Sequence, residues 1–320
     1  MGNILYVVVP CYNEEKVLNE TITRLTQKIE TLINKEIISN KSKILFVNDG
    51  SIDETWKIIK DTNKTNNLIT GISLSKNKGH QPALTAGLLE ARKHADVVIT
   101  MDADLQDDIE VMEDMLNEHF KNGCDIVYGV RSNRKKDSFF KKISALGFYK
   151  FMNLMGVEIV YNHADYRLTS KRVLNDFANF KEVNLFLRGI FPIIGYKSAT
   201  VYYERQKRFA GKSKYPLGKM ISFALEGITS FSVKPLRLIC VLGFIILMIS
   251  IILMIYSFVR YFNGNTVDGW ASLAVSIWFV GGLQMISIGI IGEYLGKVYN
   301  ETKSRPRYFI EENLMEENDE

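Results

Sequence analysis

The 320-residue chain has little of what several classes of protein need. Its three cysteines, Cys11, Cys124 and Cys240, lie far apart in no metal-type spacing, and so few cysteines fit a reducing compartment. The histidines also lack ligand spacing, so each is predicted to be a surface or capping residue rather than a zinc ligand. A formal net charge of only +4 argues against a nucleic-acid partner. The four histidines are His80, His94, His119 and His163.

Three common sequence signals are missing as well. The N-terminus, Met1 to Tyr6, has no basic region followed by an apolar stretch and a small-residue cleavage site, so no signal peptide is predicted. No G-x-G-x-x-G follows the first predicted strand, which argues against a classical dinucleotide fold. No Walker sequence occurs either, so a P-loop nucleotide site is not expected.

What the chain does have is a strongly apolar C-terminal third. Leu238 to Val259 and Trp270 to Gly292 carry no charged residue, and as helices each would cross a bilayer core of about 30 Å. Lysine and arginine flank the two segments on their outer sides, whereas the connection between them carries only Arg260. The positive-inside rule therefore predicts a two-span hairpin with both termini in the cytoplasm.

Before the hairpin, Val/Ile-rich segments alternate with segments of helical periodicity. This alternation predicts a βαβ array with a mostly parallel sheet, in which the polar strand ends Tyr12, Asp49, Asn77 and Asp102 share one cleft. Pro10 is expected to end the pairing of the first strand. The predicted strands are 4–9, 43–47, 67–74, 96–101, 125–130 and 199–204, and the predicted helices are about 15–32, 80–94 and 108–121.

Closely spaced carboxylates follow the fourth predicted strand, in Asp102-Ala-Asp-Leu-Gln-Asp-Asp108. Asp102 and Asp104 are two residues apart, so in an extended chain they point to the same side. Two converging carboxylates repel each other unless a cation lies between them, and Mg²⁺ or Mn²⁺ suits such a site. The alternative is a solvated acidic loop that caps the helix predicted to start near Asp108.

Two basic segments are candidates for contact with phosphates or with a membrane. Arg131 to Lys142 precedes the apolar, aromatic-rich stretch Ile143 to Met155, which reads either as an interfacial helix or as a core helix after a solvated loop. Arg205 to Tyr215 reads either as a mobile loop that closes over phosphates or as a solvated loop. Leu217 to Phe231 is amphipathic and leads into the first span.

Asp165 and Arg167 lie two residues apart in Ala164-Asp-Tyr-Arg-Leu-Thr-Ser170, so in an extended chain they share one side. They are predicted to form a structural ion pair.

Several motifs together resemble one family. Val9-Pro-Cys-Tyr-Asn-Glu14, Val47-Asn-Asp-Gly-Ser-Ile-Asp53 and Asp102-Ala-Asp-Leu-Gln106 resemble the nucleotide-sugar signature of family 2 glycosyltransferases with the GT-A fold. Further motifs make the whole chain similar to the polyprenyl-phosphate glycosyltransferases, the group that holds dolichol-phosphate mannose synthase and bactoprenol glucosyltransferase. These further motifs are Asn77-Lys-Gly-His-Gln-Pro-Ala-Leu-Thr-Ala-Gly87, Ala164-Asp-Tyr-Arg-Leu168, Arg208-Phe-Ala-Gly-Lys-Ser-Lys-Tyr215, Ser232-Val-Lys-Pro-Leu-Arg237 and Gly292-Glu-Tyr-Leu-Gly296.

The sequence departs from the family pattern in two places. Asn48 stands where many relatives have aspartate, but Asp49 is retained. The stretch 135–142 is rich in lysine where relatives often carry arginine. Because lysine cannot make the same bidentate phosphate contact, no exact role is assigned to that stretch.

The resemblance implies an α/β GT-A-type nucleotide-sugar-binding domain with a mostly parallel central sheet, followed by interfacial helices and a two-helix transmembrane hairpin. The implied parts are a cytoplasmic glycosyltransferase domain (1–215), an interfacial helix (216–235), a hairpin in the inner (plasma) membrane (236–296) and a cytoplasmic tail (297–320). The acidic end of that tail, Glu311 to Glu320, is expected to fray.

The resemblance also implies a reaction. A hexose, most simply glucose from UDP-glucose, would be transferred with inversion to undecaprenyl phosphate at the cytoplasmic membrane face, supplying a lipid-linked sugar for cell-envelope glycosylation. A divalent ion, Mg²⁺ or Mn²⁺, and membrane lipids are the other implied partners. UDP-N-acetylglucosamine, GDP-mannose and galactose donors stay open, as does a homo-oligomer.

Two rival functions are weaker. A processive polysaccharide synthase would carry a Gln-x-x-Arg-Trp motif and more spans, and neither occurs in this sequence. A non-catalytic scaffold or lipid flippase would leave the acidic loop unexplained, and two spans without charge offer little path for a polar headgroup.

By resemblance, individual residues receive roles. Asp104 and Asp165 are the implied catalytic residues, with Asp165 on the acceptor side or as a weak base. The implied metal ligands are Asp102, Asp104 and Gln106. The implied nucleotide-binding residues are Pro10, Tyr12, Asn13, Glu14, Asp49 and Asp102. The implied phosphate- or lipid-binding residues are Arg131, Arg208, Ser213 and Lys214.

Overall fold

One eight-stranded sheet organises the described residues that lie outside the two apolar helices. The computed structural model describes residues 2–132, 155, 163–183, 186–205, 228–229, 232–263 and 269–315. Within these ranges the strands are β1 (Leu5–Cys11), β2 (Lys43–Asn48), β3 (Ile69–Leu74), β4 (Val97–Thr100), β5 (Ile126–Arg131), β6 (His163–Ser170), β7 (Ser198–Tyr203) and β8 (Ile310–Asn313). Their order across the sheet is β7-β5-β6-β4-β1-β2-β3-β8.

The sheet is mostly parallel, as predicted, but one inverted strand lies inside it. β6 runs antiparallel to both of its neighbours, β4 and β5. Thr100, the last residue of β4, pairs with Arg167 of β6. The beginning of β6 therefore lies at the edge where the parallel strands end, and this inversion carries Asp165 to the end of β4.

Helices cover both faces of the sheet because side chains alternate along each buried strand. Val7 and Val9 of β1 face one layer, and Tyr6 and Val8 face the other. The first layer contains α1 (Glu15–Asn34), α2 (Thr55–Thr65) and α4 (Val111–Asn122). The second contains α3 (His80–Ala91), α5 (Lys171–Phe177) and α6 (Leu187–Ile194).

The periodicities seen in the sequence account for how these helices pack. In α1 the buried positions Leu18, Ile22, Leu25, Ile29 and Leu32 recur three or four residues apart, so they form one apolar stripe. In α3 the packing is closer, because a Cβ on Gly87 would lie 2.4 Å from Cγ1 of Val8. Glycine thus lets α3 approach the sheet and brings the first turn of α3 to the polar edge.

Two long apolar helices follow the sheet domain. They are α7 (Lys234–Phe262) and α8 (Trp270–Thr302). Lys234–Leu253 and Phe279–Thr302 are long and apolar enough to cross a membrane, and neither window is buried against the protein. The hydroxyl of Tyr294 donates to the carbonyl of Ser232 at 2.6 Å, which joins the end of α8 to the start of α7.

After α8 the chain returns to the sheet, which corrects the expectation of fraying for residues 311–315, while 316–320 lie outside the described residues. β8 pairs antiparallel with β3, with Ser73 opposite Glu312. The Glu312 carboxylate accepts from the indole of Trp56 at 3.1 Å and from Lys60 at 2.7 Å. Residues 310–315 therefore cover an edge that β3 would otherwise leave open.

The expectation for Pro10 is also corrected, because β1 continues through Pro10 to Cys11. Pairing with β4 stops at Val8, whereas pairing with β2 goes on. The carbonyl of Val8 accepts from Met101 on the β4 side, and that of Cys11 accepts from Asp49 on the β2 side. The nitrogen of Pro10 faces the β4 side, so no ladder bond is lost.

Candidate active site

The loops after β1 and β2 hold each other through short hydrogen bonds. Asn13 adopts a left-handed backbone conformation, with φ of 54°. Its side-chain oxygen accepts from the backbone of Ile52 at 3.0 Å, and its own amide donates to Ser51 Oγ at 3.0 Å. The amide of Glu14 donates to Thr55 Oγ1 at 2.9 Å. The two loops therefore complete each other and need no ligand to be ordered.

Asp49 extends this network to the start of α3. It is 3% exposed, and its carboxylate accepts from the amides of Lys78 at 2.7 Å and Gly79 at 2.9 Å and from Asn77 Nδ2 at 3.1 Å. Burial raises the pKa of Asp49, and the two amide bonds oppose that rise. Gly50 has φ of +62°, and a Cβ there would lie 2.5 Å from the amide nitrogen of Asn77, so the tight turn after β2 requires glycine.

The residues predicted to bind the nucleotide therefore share one end of the sheet. Pro10 is buried in β1, whereas Tyr12 keeps 40% of its surface exposed beside it. Asn13, Glu14 and Asp49 all act within the loop network just described. Of this group, Tyr12 presents the largest apolar surface to solvent and could stack on a planar base.

The acidic loop begins where β4 ends. Burial raises the pKa of Asp102 to about 6, and repulsion from Asp107, Asp165 and Asp104 adds to that rise, while His80 opposes it. Asp104 accepts from the amide of Gln106 at 3.1 Å, and the intervening residue, Leu105, is left-handed with φ of 56°. Carboxylates are thus crowded on a turn that is itself under backbone strain.

His80 is a surface residue, as predicted, with a side chain that is 37% exposed, and it also lies between two of these carboxylates. Its Nε2 is 3.5 Å from Asp165 Oδ2 and 3.7 Å from Asp102 Oδ1. Burial works against the charged imidazole, but the hydrogen bond with Asp165 and the charge of Asp102 raise the pKa of His80 to about 9. His80 is therefore a cation at neutral pH that joins the first turn of α3 to the acidic loop.

Arg188, at the start of α6, holds the other side of Asp165. Its Nε and NH2 atoms donate to the two oxygens of Asp165 at 3.1 and 3.0 Å, a bidentate pair. Burial disfavours the charged form, yet Arg188 and His80 together hold the pKa of Asp165 well below its usual range. The amide of Leu187 donates to the side-chain oxygen of Gln81 at 2.9 Å, so α6 is tied to α3 beside the pair.

The predicted ion pair between Asp165 and Arg167 does not form. Arg167 is fully buried, and its guanidinium lies 3.5 Å from the centroid of the Phe191 ring. Within the described part of the chain, none of its three side-chain nitrogens has a hydrogen-bond partner, and burial lowers its pKa to about 10. Asp165 is paired instead with Arg188, because α6 brings that guanidinium to it from outside the strand.

A second ion pair, between Asp107 and Arg131, lies behind the acidic loop. Asp107 accepts from the hydroxyl of Tyr203 and from Arg131 NH2, the latter at 3.2 Å. Burial opposes the charge on Arg131, but Asp107 raises its pKa above the usual range. The side-chain oxygen of Gln106 accepts from Arg205. Arg131, a predicted phosphate ligand, is thus placed at this edge of the sheet.

The donor set of the acidic loop fits a hard divalent cation in part. Asp102 and Asp104 supply crowded carboxylate oxygens of the kind that Mg²⁺ and Mn²⁺ prefer. The oxygen of Gln106 already accepts from Arg205, so a cation would have to share or displace that contact. Among the described residues, no three His, Cys, Asp or Glu side chains are grouped so as to hold a metal ion. The remaining ligands would come from water and from a phosphate-bearing substrate.

Sequence reasoning found some of these residues and missed others. The predicted ligands Arg208, Ser213 and Lys214 lie outside the described residues, as do 143–154 and 217–227. The motif Asn77-Lys-Gly-His80 pointed to the right turn but not to the contacts of His80. Nothing in the sequence placed Arg188 or Tyr203 at the site, because only the sheet order brings them there. Asp107 belongs to the acidic loop seen in the sequence, but no role was predicted for it.

Comparison with known families assigns both parts of the chain. Residues 6–177 match the model described as "Glycosyl transferase family 2". Residues 234–298 match the one described as "GtrB C-terminal hairpin". The first match covers β1 to β6 with the acidic loop, and the second covers most of the two apolar helices.

Curated relatives extend over nearly the whole chain. An uncharacterized glycosyltransferase, YkoT of Bacillus subtilis strain 168, is 52% identical over 98% of this chain and 93% of its own length. A prophage bactoprenol glucosyl transferase homolog of Escherichia coli K12 is 40% identical over 95% of this chain and 97% of its own. The bactoprenol glucosyl transferase of Shigella phage SfX is also 40% identical, with the same coverage.

One solved glycosyltransferase structure can be superposed on part of the chain. A mannosyltransferase from Pyrobaculum calidifontis, crystallised with GDP-mannose and Mn²⁺, superposes with a TM-score of 0.49 at 14% identity, covering 74% of this chain and 65% of that one. The family models and the curated relatives carry the assignment without it. The chain belongs to glycosyltransferase family 2 and has the GT-A-type α/β domain of that family, followed by the hairpin of its GtrB-like members.

Proposed function

We propose that this glycosyltransferase transfers glucose from UDP-glucose to undecaprenyl phosphate, with inversion, at the cytoplasmic face of the membrane. The observation that carries the proposal is the joining of a crowded acidic loop to a two-helix apolar hairpin in one chain whose relatives include bactoprenol glucosyl transferases. The hairpin would bring a lipid-linked acceptor to the cleft, and the loop would face the donor diphosphate.

The chemistry is a displacement at the anomeric carbon of the sugar. An oxygen of the acceptor phosphate forms the new bond to that carbon while the bond to the nucleoside diphosphate breaks, and the diphosphate leaves with the electron pair. A Mg²⁺ or Mn²⁺ ion held by Asp102 and Asp104, with Gln106 as a further ligand, would neutralise charge on the leaving group.

The state of Asp165 agrees with this chemistry. The acceptor phosphate is already an anion at neutral pH, so no strong base is needed to activate it. Asp165 has a pKa well below its usual range, and both of its oxygens accept from Arg188, which makes it a poor proton acceptor. Its work would be to hold Arg188 and His80 facing the cleft, where two cations can meet phosphate oxygens.

The nucleoside would lie against the ends of β1 and β2. Tyr12 offers an exposed ring there, and the loops formed by Asn13, Glu14 and Asp49 are already ordered by their own hydrogen bonds. Arg131 at the end of β5, together with Arg208, Ser213 and Lys214 of the second basic segment, would bind donor or lipid phosphates.

The donor and acceptor can be identified with one experiment. Purified protein in detergent is incubated with a short-chain polyprenyl phosphate, Mn²⁺ and each of several nucleotide sugars, and the lipid is analysed by mass spectrometry. A hexosyl phosphate lipid formed from UDP-glucose supports the proposal. Product from UDP-N-acetylglucosamine, UDP-galactose or GDP-mannose alone would reassign the donor, and no lipid product from any donor would refute the acceptor.

Membrane topology is a separate part of the proposal, and cysteine labelling tests it. Cys240 is exposed on α7 and is replaced by serine first, while Cys11 and Cys124 are buried in the sheet domain. We predict that a cysteine at Asn263, at the end of α7, reacts with an impermeant reagent in intact cells and that one at Ser304, just past α8, does not. The opposite pattern would place the sheet domain outside the cytoplasm.

A further inference from the structure

The acidic loop is held from behind by a buried cluster of three side chains, which we name the loop latch: Asp107, Arg131 and Tyr203. The Asp107 side chain is only 1% exposed. Its Oδ1 accepts from the Tyr203 hydroxyl and from Arg131 NH2 at 3.2 Å, and Arg131 Nε also donates to the Tyr203 oxygen at 3.3 Å. Each member of the latch therefore contacts both of the others.

The second oxygen of Asp107 makes the buried carboxylate more dependent on these two donors. Among the residues that the structure describes, none makes a hydrogen bond to the buried Oδ2 atom. Both hydrogen bonds of this carboxylate are made through Oδ1, and loss of one donor would leave a buried anion on a single remaining bond.

Neighbouring contacts extend the latch along the loop. The ring of Tyr166 meets that of Tyr203 edge to face, with centroids 5.5 Å apart, and the Tyr166 hydroxyl donates to the carbonyl of Asp108 at 3.0 Å. The backbone of Ser132 donates to the carbonyl of Tyr203 at 2.8 Å. Residues at the ends of β5 and β7 and near the start of β6 therefore all contact Asp107 or Asp108, which follow the paired carboxylates.

The loop needs such an anchor for two reasons. Leu105 is a left-handed residue with a side chain, a conformation that persists only where the surroundings impose it. Asp102 and Asp104 also repel each other and Asp107, which would push the turn apart in the absence of a cation. A buried set of bonds at residue 107 opposes both effects.

We propose that Asp107 and Tyr203 are positioning residues that preset the acidic loop for the divalent cation and the donor diphosphate. The inference rests on the proposed function, because it assumes that Asp102 and Asp104 bind the cation. The latch also fixes the points from which the basic segments leave the sheet, since Arg131 and Tyr203 are paired residues at the ends of β5 and β7. Neither Asp107 nor Tyr203 would touch substrate.

The test compares three single-hydroxyl deletions in the full-length protein. Tyr203→Phe removes only the latch donor. Tyr202→Phe is the neighbouring control, because Tyr202 is 65% exposed on the same strand. Tyr196→Phe is the structural control, because the Tyr196 hydroxyl donates to Asp176 at 2.6 Å away from the site. Each variant is measured for kcat, for donor KM, for the Mn²⁺ concentration giving half-maximal rate and for the midpoint of thermal unfolding.

We expect Tyr203→Phe to lower kcat by about tenfold, the kinetic equivalent of one hydrogen bond to a charged group, and to raise the Mn²⁺ requirement. Tyr202→Phe should match the wild type, and Tyr196→Phe should change only the unfolding midpoint. In a double-mutant cycle, Tyr203→Phe and Asp107→Asn should be strongly non-additive. If Tyr203→Phe changes only the unfolding midpoint, as Tyr196→Phe does, the latch is purely structural and the inference is wrong.

A binding measurement separates this inference from the proposed function. Calorimetric titration of UDP with Mn²⁺ needs no acceptor lipid and no transfer. Weaker binding by Tyr203→Phe than by Tyr202→Phe supports the latch even if the wild type transfers no sugar to polyprenyl phosphate. Equal binding by the two variants would overturn the latch even if the wild type is fully active.

Discussion

The two halves of the polar sheet edge satisfy their carboxylates in different ways. After β2, Asp49 accepts from two backbone amides of the turn before α3 and Asp53 accepts from the amide of Thr55, so the carboxylates of this half are satisfied by the protein's own backbone. At the ends of β4, β5 and β6, carboxylates face one another and rely on side-chain cations such as Arg188. The first half is a preformed surface, and the second is a set of charges that a bound cation and phosphates would balance.

This difference matches what each half would bind. A nucleoside is neutral and is recognised by shape and by a few hydrogen bonds, for which rigid loops suit. A diphosphate with a metal ion brings several charges at once, and a site for it must hold charges that repel one another when the site is empty. Substitutions in each half should therefore have different effects on transfer, on the Mn²⁺ requirement and on stability.

The largest effect is expected from Asp104→Asn. Removing one of the paired charges weakens the cation site and leaving-group stabilisation, so the transfer rate should fall by about 10²–10³ with the unfolding midpoint unchanged. Asp114→Asn, on the exposed face of α4, is the matched control and should leave both unaltered. Normal transfer in this variant, or by the wild type in EDTA, would remove the basis for a metal at this loop.

The second-largest loss of transfer is expected from Arg188→Gln. Asp165 would lose its bidentate partner, and the transfer rate should fall by about tenfold or more because His80 alone would then hold the carboxylate. Arg188→Lys should not restore the rate, since lysine cannot make the paired contact.

Arg172→Gln provides the control for that experiment. Arg172 also pairs with a carboxylate, that of Asp125, but lies away from the cleft and is 62% exposed. We expect no more than a small change in the unfolding midpoint. If Arg188→Gln behaves in the same way, Asp165 and Arg188 form only a structural pair.

Asp49→Asn tests the preformed half. An amide offers one acceptor oxygen where the carboxylate offers two, so one of the bonds to Lys78 and Gly79 is lost. The free energy of unfolding should fall by about 1–3 kcal/mol, while the Mn²⁺ requirement stays unchanged. A raised Mn²⁺ requirement without a stability loss would show that the two halves do not differ as described.

The smallest effect is expected from Glu312→Gln on β8. Its contact with Lys60 is half-exposed, so its loss should cost under about 1 kcal/mol of unfolding free energy and leave transfer unaltered. The bond from the Trp56 indole can persist to the amide oxygen. A large loss of transfer would mean that the returning C-terminal strand does more than cover the edge of β3.

Sequence reasoning succeeded where structure is local. The strand before Asp102, the stripe of α1 and the tight turn at Gly50 follow from periodicity and from backbone preferences, and the structure contains all three. It failed where distant segments meet. Asp165 reaches Asp102 only because β6 inserts antiparallel beside β4, and β8 joins β3 only after the chain has passed through two long helices.

The wrong prediction of an ion pair between Asp165 and Arg167 has the same cause. Arg167 lies two residues from Asp165 in sequence, yet it is buried against Phe191, whereas Arg188 arrives from another helix to make the pair. Spacing within a strand shows which side chains share a face, but not which partner the neighbouring helix will supply. His80 was undervalued for the same reason, since its two carboxylate partners come from β6 and from the end of β4.

The contrast between the two halves is tested most directly by calorimetric titration of the wild-type protein with uridine and with UDP, each with and without Mn²⁺. We expect uridine to bind weakly and equally in both conditions, because the carboxylates of the β1–β2 loops are satisfied by backbone amides. We expect UDP to bind well only with Mn²⁺, because the acidic loop repels a bare diphosphate. Equally tight binding of UDP in EDTA would show that the two halves do not differ in this way.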